Sequence, residues 1–81
     1  MFKQRADLEA YIAKMLNVPL EDLSGYQDSL LDFGIDSVQI MGFVEQLQNA
    51  GINVSFIQMA EHVTLPSWWA FIESSLKEAV N

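Results

Sequence analysis

The chain has 81 residues, enough for one hydrophobic core, so we expect a single domain over residues 1–81 and exclude a second one. Hydrophobic residues make up 51% of the sequence, which excludes a disordered tail, and the absence of cysteine excludes disulfides, thiolate metal sites and a cysteine nucleophile. The formal net charge is −7, which disfavours nucleic acid and anionic membrane surfaces as partners and favours a basic protein surface.

A first helix is predicted over about residues 3–16, where apolar residues recur at helical spacing after Asp7 and Pro19 ends the pattern. The segment 17–36 is then unusually long for a connection in so small a domain, so it needs anchors in the core. Its PLEDL stretch is compatible with one helical turn. The apolar residues expected to pin the segment across the bundle are Val18, Leu20, Leu23, Tyr26, Leu30, Leu31, Phe33 and Ile35.

A second helix is predicted to begin near Ser37, with Asp36 as N-cap and Gln39 three residues later completing a capping box. Gly51 is the expected C′ residue that ends it. The buried stripe of this helix is predicted to be Ile40, Phe43, Val44 and Leu47.

Two further helices are predicted towards the end of the chain. Ser55 and Gln58 resemble a capping box for a short third helix over 56–61, and Thr64 caps a fourth helix with Pro66 in its first turn. The broad apolar face of the fourth helix includes Trp68 and Trp69, which we interpret as structural. No stretch alternates with a period of two, so we predict an all-α four-helix bundle with three long helices, a short third helix and a long loop between helices 1 and 2.

Ser37 is the one residue whose placement indicates chemistry. At the first position of a helix its hydroxyl would be exposed, but the only histidine, His62, lies far along the chain, which argues against a serine hydrolase. Free N–H groups and the positive end of the helix dipole would suit a phosphodiester there. An ordinary helix-start serine is the alternative that this position alone leaves open.

The string LLDFGIDSVQIM strongly resembles the phosphopantetheine attachment motif of carrier proteins, in which a G-x-D-S core opens the second helix. The likeness extends over nearly the whole chain, from the first helix through the long loop to the short third helix and the fourth. The tail FIQMAEHVTLPSWWAFI looks most like the aryl carrier proteins of catechol-type and salicylate-type siderophore assembly.

This resemblance implies that a phosphopantetheinyl transferase moves 4'-phosphopantetheine from coenzyme A to Ser37, using Mg²⁺ bound mainly at the transferase. Asp36 would serve as cap and as a transferase contact, and Gly34 would allow the tight bend before the helix. The chain would then be a carrier rather than an enzyme. An aryl-acid adenylating ligase would load an acid of 2,3-dihydroxybenzoate or salicylate type as a thioester, and the condensation domain of a nonribosomal peptide synthetase would consume it.

Five residues are candidates for partner binding. Val38 and Met41 share a stripe beside the serine that is offset from the buried one, at positions that form the partner surface in aryl carriers. The short third helix has three further candidates, Phe56, Met59 and Ala60. Of these, Phe56 and Ala60 match family positions associated with the downstream condensation partner. The alternative is that these residues belong to the core.

The acids Asp28, Asp32 and Asp36 are interpreted as a solvated rim, without the ligand pattern of a calcium loop. His62 has no second ligand at metal spacing and receives no role. Gln39 stands where some aryl carriers have a base, and Glu45 makes the helix face more acidic, which leaves the partners' identity open.

We expect a monomeric domain. A cytoplasmic location is expected because no run approaches the roughly 20 apolar residues that span a bilayer and the amphipathic first residues contain acids, unlike a signal peptide. Three other functions stay open. The chain could be a peptidyl or acyl carrier for amino-acid, fatty-acid or polyketide units, an unmodified helical interaction module, or a small serine hydrolase.

Overall fold

A computed structural model describes residues 2–79. Its elements in chain order are α1 (Arg5–Leu16), α2 (Leu20–Leu23), a 3-10 turn (Leu30–Phe33), α3 (Ser37–Asn49), α4 (Phe56–Glu61) and α5 (Leu65–Ala79). These residues contain no β-strand, so the predicted all-α class is confirmed, with the three long helices and the short helix over 56–61 that were expected and α2 as a second short helix. The helical turn expected in PLEDL is α2. The predicted domain, 1–81, also includes Met1, Val80 and Asn81, which lie outside the described residues.

Helix α1 begins at Arg5, two residues later than predicted. The Asp7 carboxylate explains the difference, because its Oδ2 accepts hydrogen bonds from the backbone N–H groups of Lys3 (2.8 Å) and Gln4 (3.1 Å). Those two residues therefore form the turn that leads into the helix instead of its first positions.

The end of α1 is set by Asn17, which adopts the left-handed conformation (φ 57°, ψ 47°) that asparagine tolerates better than most residues. The helix therefore ends at Leu16, before Pro19 could interrupt it. Pro19 is instead the N-cap of α2, an extended position (φ −61°, ψ 142°) that suits proline.

Four aromatic rings form a continuous column where α1, α3 and α5 meet. Phe2 meets Tyr11 edge-on with ring centroids 5.7 Å apart, Tyr11 lies 5.1 Å from Phe43, and Phe43 stacks on Trp68 at 5.5 Å. Trp68 is fully buried and Trp69 is half-buried, so the structural role predicted for Trp68 is confirmed. Helix α3, which begins with Ser37, is thus packed against both of the other long helices.

The long segment between α1 and α3 is fixed to the core. Leu23, Leu30 and Ile35 are buried, and the Leu30 N–H donates to the Val63 carbonyl oxygen at 2.8 Å. An isolated β-bridge joins Ser29, the residue before the 3-10 turn, to the chain just before α5. The predicted anchoring of this loop is therefore correct in kind.

Two of the predicted anchors are wrong. Leu20 is 50% exposed and Leu31 is 60% exposed. Neighbouring residues of a 3-10 turn point about 120° apart, so Leu30 and Leu31 cannot both face the core, and Leu30 does.

Candidate functional site

Ser37 is the first residue of α3 and is exposed to solvent. Asp36 is extended (φ −121°, ψ 173°), its Oδ1 accepts from the Gln39 N–H at 2.8 Å, and Gln39 Oε1 accepts from the Asp36 N–H at 3.1 Å. The predicted capping box is therefore confirmed. It satisfies the third N–H of the helix and leaves those of Ser37 and Val38 without a capping side chain.

The chain approaches Ser37 through a bend that requires glycine. Gly34 has φ 80° and ψ 18°, and its N–H donates to the Leu31 carbonyl oxygen at 3.0 Å. A Cβ at Gly34 would meet no atom within 4 Å, so conformation rather than space selects glycine here. Ile35, only 4% exposed, then fixes the chain to the core two residues before the serine.

Apolar side chains lie exposed on either side of Ser37 in the sequence. Val38 is 76% exposed and Met41 is 56% exposed, both outside the buried stripe of α3. Leu31, exposed on the 3-10 turn, was not predicted as a surface residue. Val38 and Met41 thus present exposed aliphatic side chains within four residues of the exposed Ser37.

Helix α4 requires a correction. Met59, predicted to bind a partner, is fully buried, and its carbonyl oxygen accepts a 2.9 Å hydrogen bond from the buried Trp68 Nε1. It is a core residue that joins α4 to α5. Phe56 and Ala60 are half-buried, and Ile57, which sequence reasoning missed, is 67% exposed.

The acids of the predicted rim, Asp28, Asp32 and Asp36, are all exposed. The Tyr26 hydroxyl donates to Asp32 Oδ2 at 2.7 Å, and this bond raises the pKa of Tyr26 from 10.0 to about 12, with smaller contributions from burial and from the charges of Asp32 and Asp28. Within residues 2–79, no group of three or more acidic, histidine or cysteine side chains is placed to hold a metal ion.

His62, at the end of α4, packs its ring edge-on against Phe71 with centroids 5.9 Å apart. The ring of His62 is therefore in contact with α5. Phe71 cannot act as the carboxylate that would orient the histidine of a serine–histidine pair. None of the helices in the described part of the chain combines the length and apolar character that a bilayer crossing requires.

The fold and site define a class of domain: a small helical bundle that exposes Ser37 as the first residue of a capped helix. The family model described as "Phosphopantetheine attachment site" matches residues 6–72, and the chain belongs to this family. Domains of this family are non-catalytic carriers of covalently bound 4'-phosphopantetheine, and they work with phosphopantetheinyl transferases and synthetase partners.

Several curated proteins are similar to parts of this chain. Pseudomonine synthase PmsE of Pseudomonas entomophila is 42% identical over 53 residues, covering 65% of this chain and 9% of that protein. Isochorismatase of Bacillus subtilis is 40% identical over 62 residues, covering 76% of this chain and 20% of that protein. Enterobactin synthase component B of Escherichia coli is 28% identical over 50 residues, covering 62% and 18% respectively.

The chain thus spans no more than a fifth of the length of these three relatives. Acyl carrier protein ScoB of Streptomyces coeruleorubidus is different, since a match at 29% identity over 70 residues covers 86% of this chain and 76% of ScoB. No solved structure gives a significant match.

Proposed function

We propose that Ser37 bears the 4'-phosphopantetheine arm and that residues 1–81 act as one aryl carrier domain in nonribosomal siderophore biosynthesis. The observation that carries the first part is the exposed position of Ser37 at the start of α3, inside the segment that matches the family. The exposed hydroxyl, the uncapped N–H groups of Ser37 and Val38 and the positive helix end all suit a phosphodiester.

Each residue at this site has a role in the proposed transfer. Ser37 Oγ would form the new bond to phosphorus while the bond to the adenosine bisphosphate of coenzyme A breaks, and the hydroxyl proton would pass to a base of the transferase. Gly34 and Asp36 hold the serine in position by the left-handed bend and the helix cap. When bound, the arm supplies a terminal thiol that carries an acyl group as a thioester.

The aryl assignment draws its support from the relatives. Two are named as synthases of pseudomonine and enterobactin and one as an isochorismatase, in agreement with the resemblance to aryl carriers. We therefore propose a cargo of 2,3-dihydroxybenzoate or salicylate type, loaded by an adenylating ligase and removed by a condensation domain. A cytoplasmic location would keep the terminal thiol reduced.

Val38 and Met41 are the proposed docking residues beside Ser37, and Phe56 and Ala60 the proposed contacts on α4. The exposure of Val38 and Met41 supports their role. The half-buried positions of Phe56 and Ala60 leave only part of each side chain for a partner.

The test is the intact mass of the chain after incubation with coenzyme A, Mg²⁺ and a broad-specificity phosphopantetheinyl transferase. We expect a gain of one phosphopantetheine in the parent and in Ser24→Ala, which removes another exposed serine, and no gain in Ser37→Ala. Modification of a folded Ser37→Ala chain would exclude Ser37 as the site. No gain in the parent with an active transferase would favour the unmodified interaction module.

A second candidate function is an acyl carrier, because the match to ScoB covers most of both chains. The rate at which different enzymes load the modified protein distinguishes an aryl carrier from an acyl carrier. An aryl-acid ligase that forms the thioester faster than acyl or aminoacyl loading enzymes would support the aryl carrier, and the reverse order would support the acyl or peptidyl carrier.

A further inference from the structure

A polar cluster ties α1 to the loop that precedes the 3-10 turn. Glu9 on α1 is only 7% exposed, and its Oε2 accepts a 3.0 Å hydrogen bond from the Gly25 N–H. The same oxygen lies 3.3 Å from Arg5 Nε, in an ion pair whose N–H is not aligned for a hydrogen bond. Arg5 Nη2 in turn donates to the Tyr26 carbonyl oxygen at 3.0 Å. The backbone of Gly25 and Tyr26 is thereby held by two charged side chains of α1.

The Tyr26 side chain extends this connection to the 3-10 turn. Its hydroxyl donates to Asp32 Oδ2 at 2.7 Å, and its ring packs edge-on against Phe33 with centroids 4.9 Å apart. Asp32 and Phe33 are the last two residues of the turn, and Gly34 follows directly. Tyr26 is therefore bonded to α1 through its backbone and to the turn through its side chain.

Little freedom remains between this turn and the serine. Gly34 is bonded back to Leu31, Ile35 is buried, and Asp36 is fixed by its capping box with Gln39. A displacement of Asp32 and Phe33 would therefore be transmitted to the chain entering α3.

We propose that Tyr26 is a positioning residue for phosphopantetheine transfer, which holds the turn at 30–33 against α1 so that the approach to Ser37 is already ordered when the transferase arrives. This inference rests on the proposed role of Ser37. A hydrogen bond between exposed groups contributes little to global stability, so its loss should loosen the turn without unfolding the bundle.

The experiment compares transfer kinetics of the full chain with those of Tyr26→Phe and Tyr11→Phe. The control removes a hydroxyl from a ring of the aromatic column, outside the network. For Tyr26→Phe we expect kcat/KM to fall about threefold to tenfold through a higher KM at unchanged kcat, because only the fraction of molecules with an ordered turn binds productively. Tyr11→Phe should transfer at the parent rate.

Asp32→Ala removes the same bond from the other side and also removes a charge that the transferase could contact directly. The double variant distinguishes these effects. If Asp32 acts through Tyr26, the double variant is no slower than the slower single variant, whereas independent contacts would multiply the two losses. Amide hydrogen exchange at Asp32 and Gly34 should accelerate in Tyr26→Phe while exchange within α3 is unchanged.

Parent-like KM and exchange in a folded Tyr26→Phe chain would overturn the positioning role and leave the role of Ser37 intact. Multiplied losses in the double variant would also overturn it. If Tyr26→Phe does not fold, Asp32→Ala takes its place, and unchanged exchange at Gly34 in that variant contradicts the proposal. No modification of the parent would instead be a failure of the proposed function.

Discussion

Asp36 and Ser37 combine a helix cap and an exposed hydroxyl in adjacent residues. The cap uses one carboxylate oxygen, Oδ1, to accept from the Gln39 N–H, while the Ser37 side chain is free to reach solvent. The charge of Asp36 is not needed for capping, because asparagine caps helices about as well as aspartate. Substitution at this position therefore separates a structural role from contact with the transferase.

We expect Asp36→Asn to keep the free energy of unfolding within about 0.5 kcal/mol of the parent and Asp36→Ala to lower it by about 1 kcal/mol. If the transferase contacts the Asp36 carboxylate, both variants are modified more slowly. Denaturant unfolding and initial transfer rates measure the two effects. Parent-like transfer to Asp36→Asn would reduce the role of Asp36 to capping.

Tyr26 should make the stability of the chain depend on alkaline pH. The pKa of Tyr26 in the folded chain is raised from the ordinary 10.0 to about 12. The hydrogen bond to Asp32 is the main cause, and burial and the charges of Asp32 and Asp28 add to it. The stabilisation is therefore complete below pH 10.0 and is lost as the pH rises through about 12. Between these values the unfolding free energy of the parent should fall more steeply than that of Tyr26→Phe. Parallel curves would contradict the raised pKa.

Two methionines provide a matched pair for separating core from surface. Met59→Ala should cost about 2–5 kcal/mol, because it opens a cavity around a fully buried side chain. Met41→Asp should change stability by no more than about 0.5 kcal/mol, since Met41 is mostly exposed, yet lower turnover with loading enzymes severalfold. Denaturant unfolding and loading assays test both. A strongly destabilised Met41→Asp would show that Met41 is structural.

At the scale of elements, the bend before α3 and the interior of α3 respond oppositely to the same substitution. Gly34→Ala should destabilise the chain by about 1 kcal/mol, because alanine is strained at φ 80°. Gly42→Ala should stabilise it by about 0.5–1 kcal/mol, since Gly42 is an exposed helical residue where a Cβ meets no atom within 4 Å. Thermal unfolding of the two variants measures both effects. A change of the melting temperature in the same direction in both variants would contradict this explanation.

The element starts and ends that the sequence predicted correctly depend on local chemistry. Asp36 with Gln39, Ser55 with Gln58, and Gly51 at φ 84° act within a few residues of their own positions, and a sequence pattern contains all of that information.

The errors concern residues whose orientation depends on distant partners. The Met59 side chain is buried in the core that also contains Trp68, nine residues later, and a six-residue helix is too short for periodicity to define its inner face. Leu31 is exposed because Leu30 already occupies the core side of the turn. Nor does any local pattern join Arg5 to Tyr26 or Glu9 to Gly25, since those bonds depend on how α1 meets the loop.

At the scale of the molecule, charge is distributed unevenly. Three of the four Lys and Arg residues lie within residues 3–14, and the fourth is Lys77 on α5. In the two ion pairs of the described residues, the acidic partners are Glu9 and Glu73. The acids from α2 to α4 therefore face solvent without a base beside them. The acids in this stretch are Glu21, Asp22, Asp28, Asp32, Asp36, Glu45 and Glu61.

This asymmetry should make encounter with a basic partner depend on salt. We expect KM for phosphopantetheine transfer to rise as ionic strength increases from about 0.05 to 0.5 M, because screening shortens the range of attraction to well below the size of the domain. The value of kcat should change little. Kinetics in NaCl at fixed Mg²⁺ provide the measurement, and a KM independent of salt would indicate an apolar encounter.

The aromatic column also gives the chain an internal optical probe. Trp68 is fully buried, its indole N–H is bonded to the Met59 carbonyl oxygen, and its ring stacks on Phe43 of the helix that begins with Ser37. In a Trp69→Phe variant, Trp68 would be the only indole, excited directly or by energy transfer from nearby tyrosines. Its emission would then follow any movement of α3 against α5 without an attached dye.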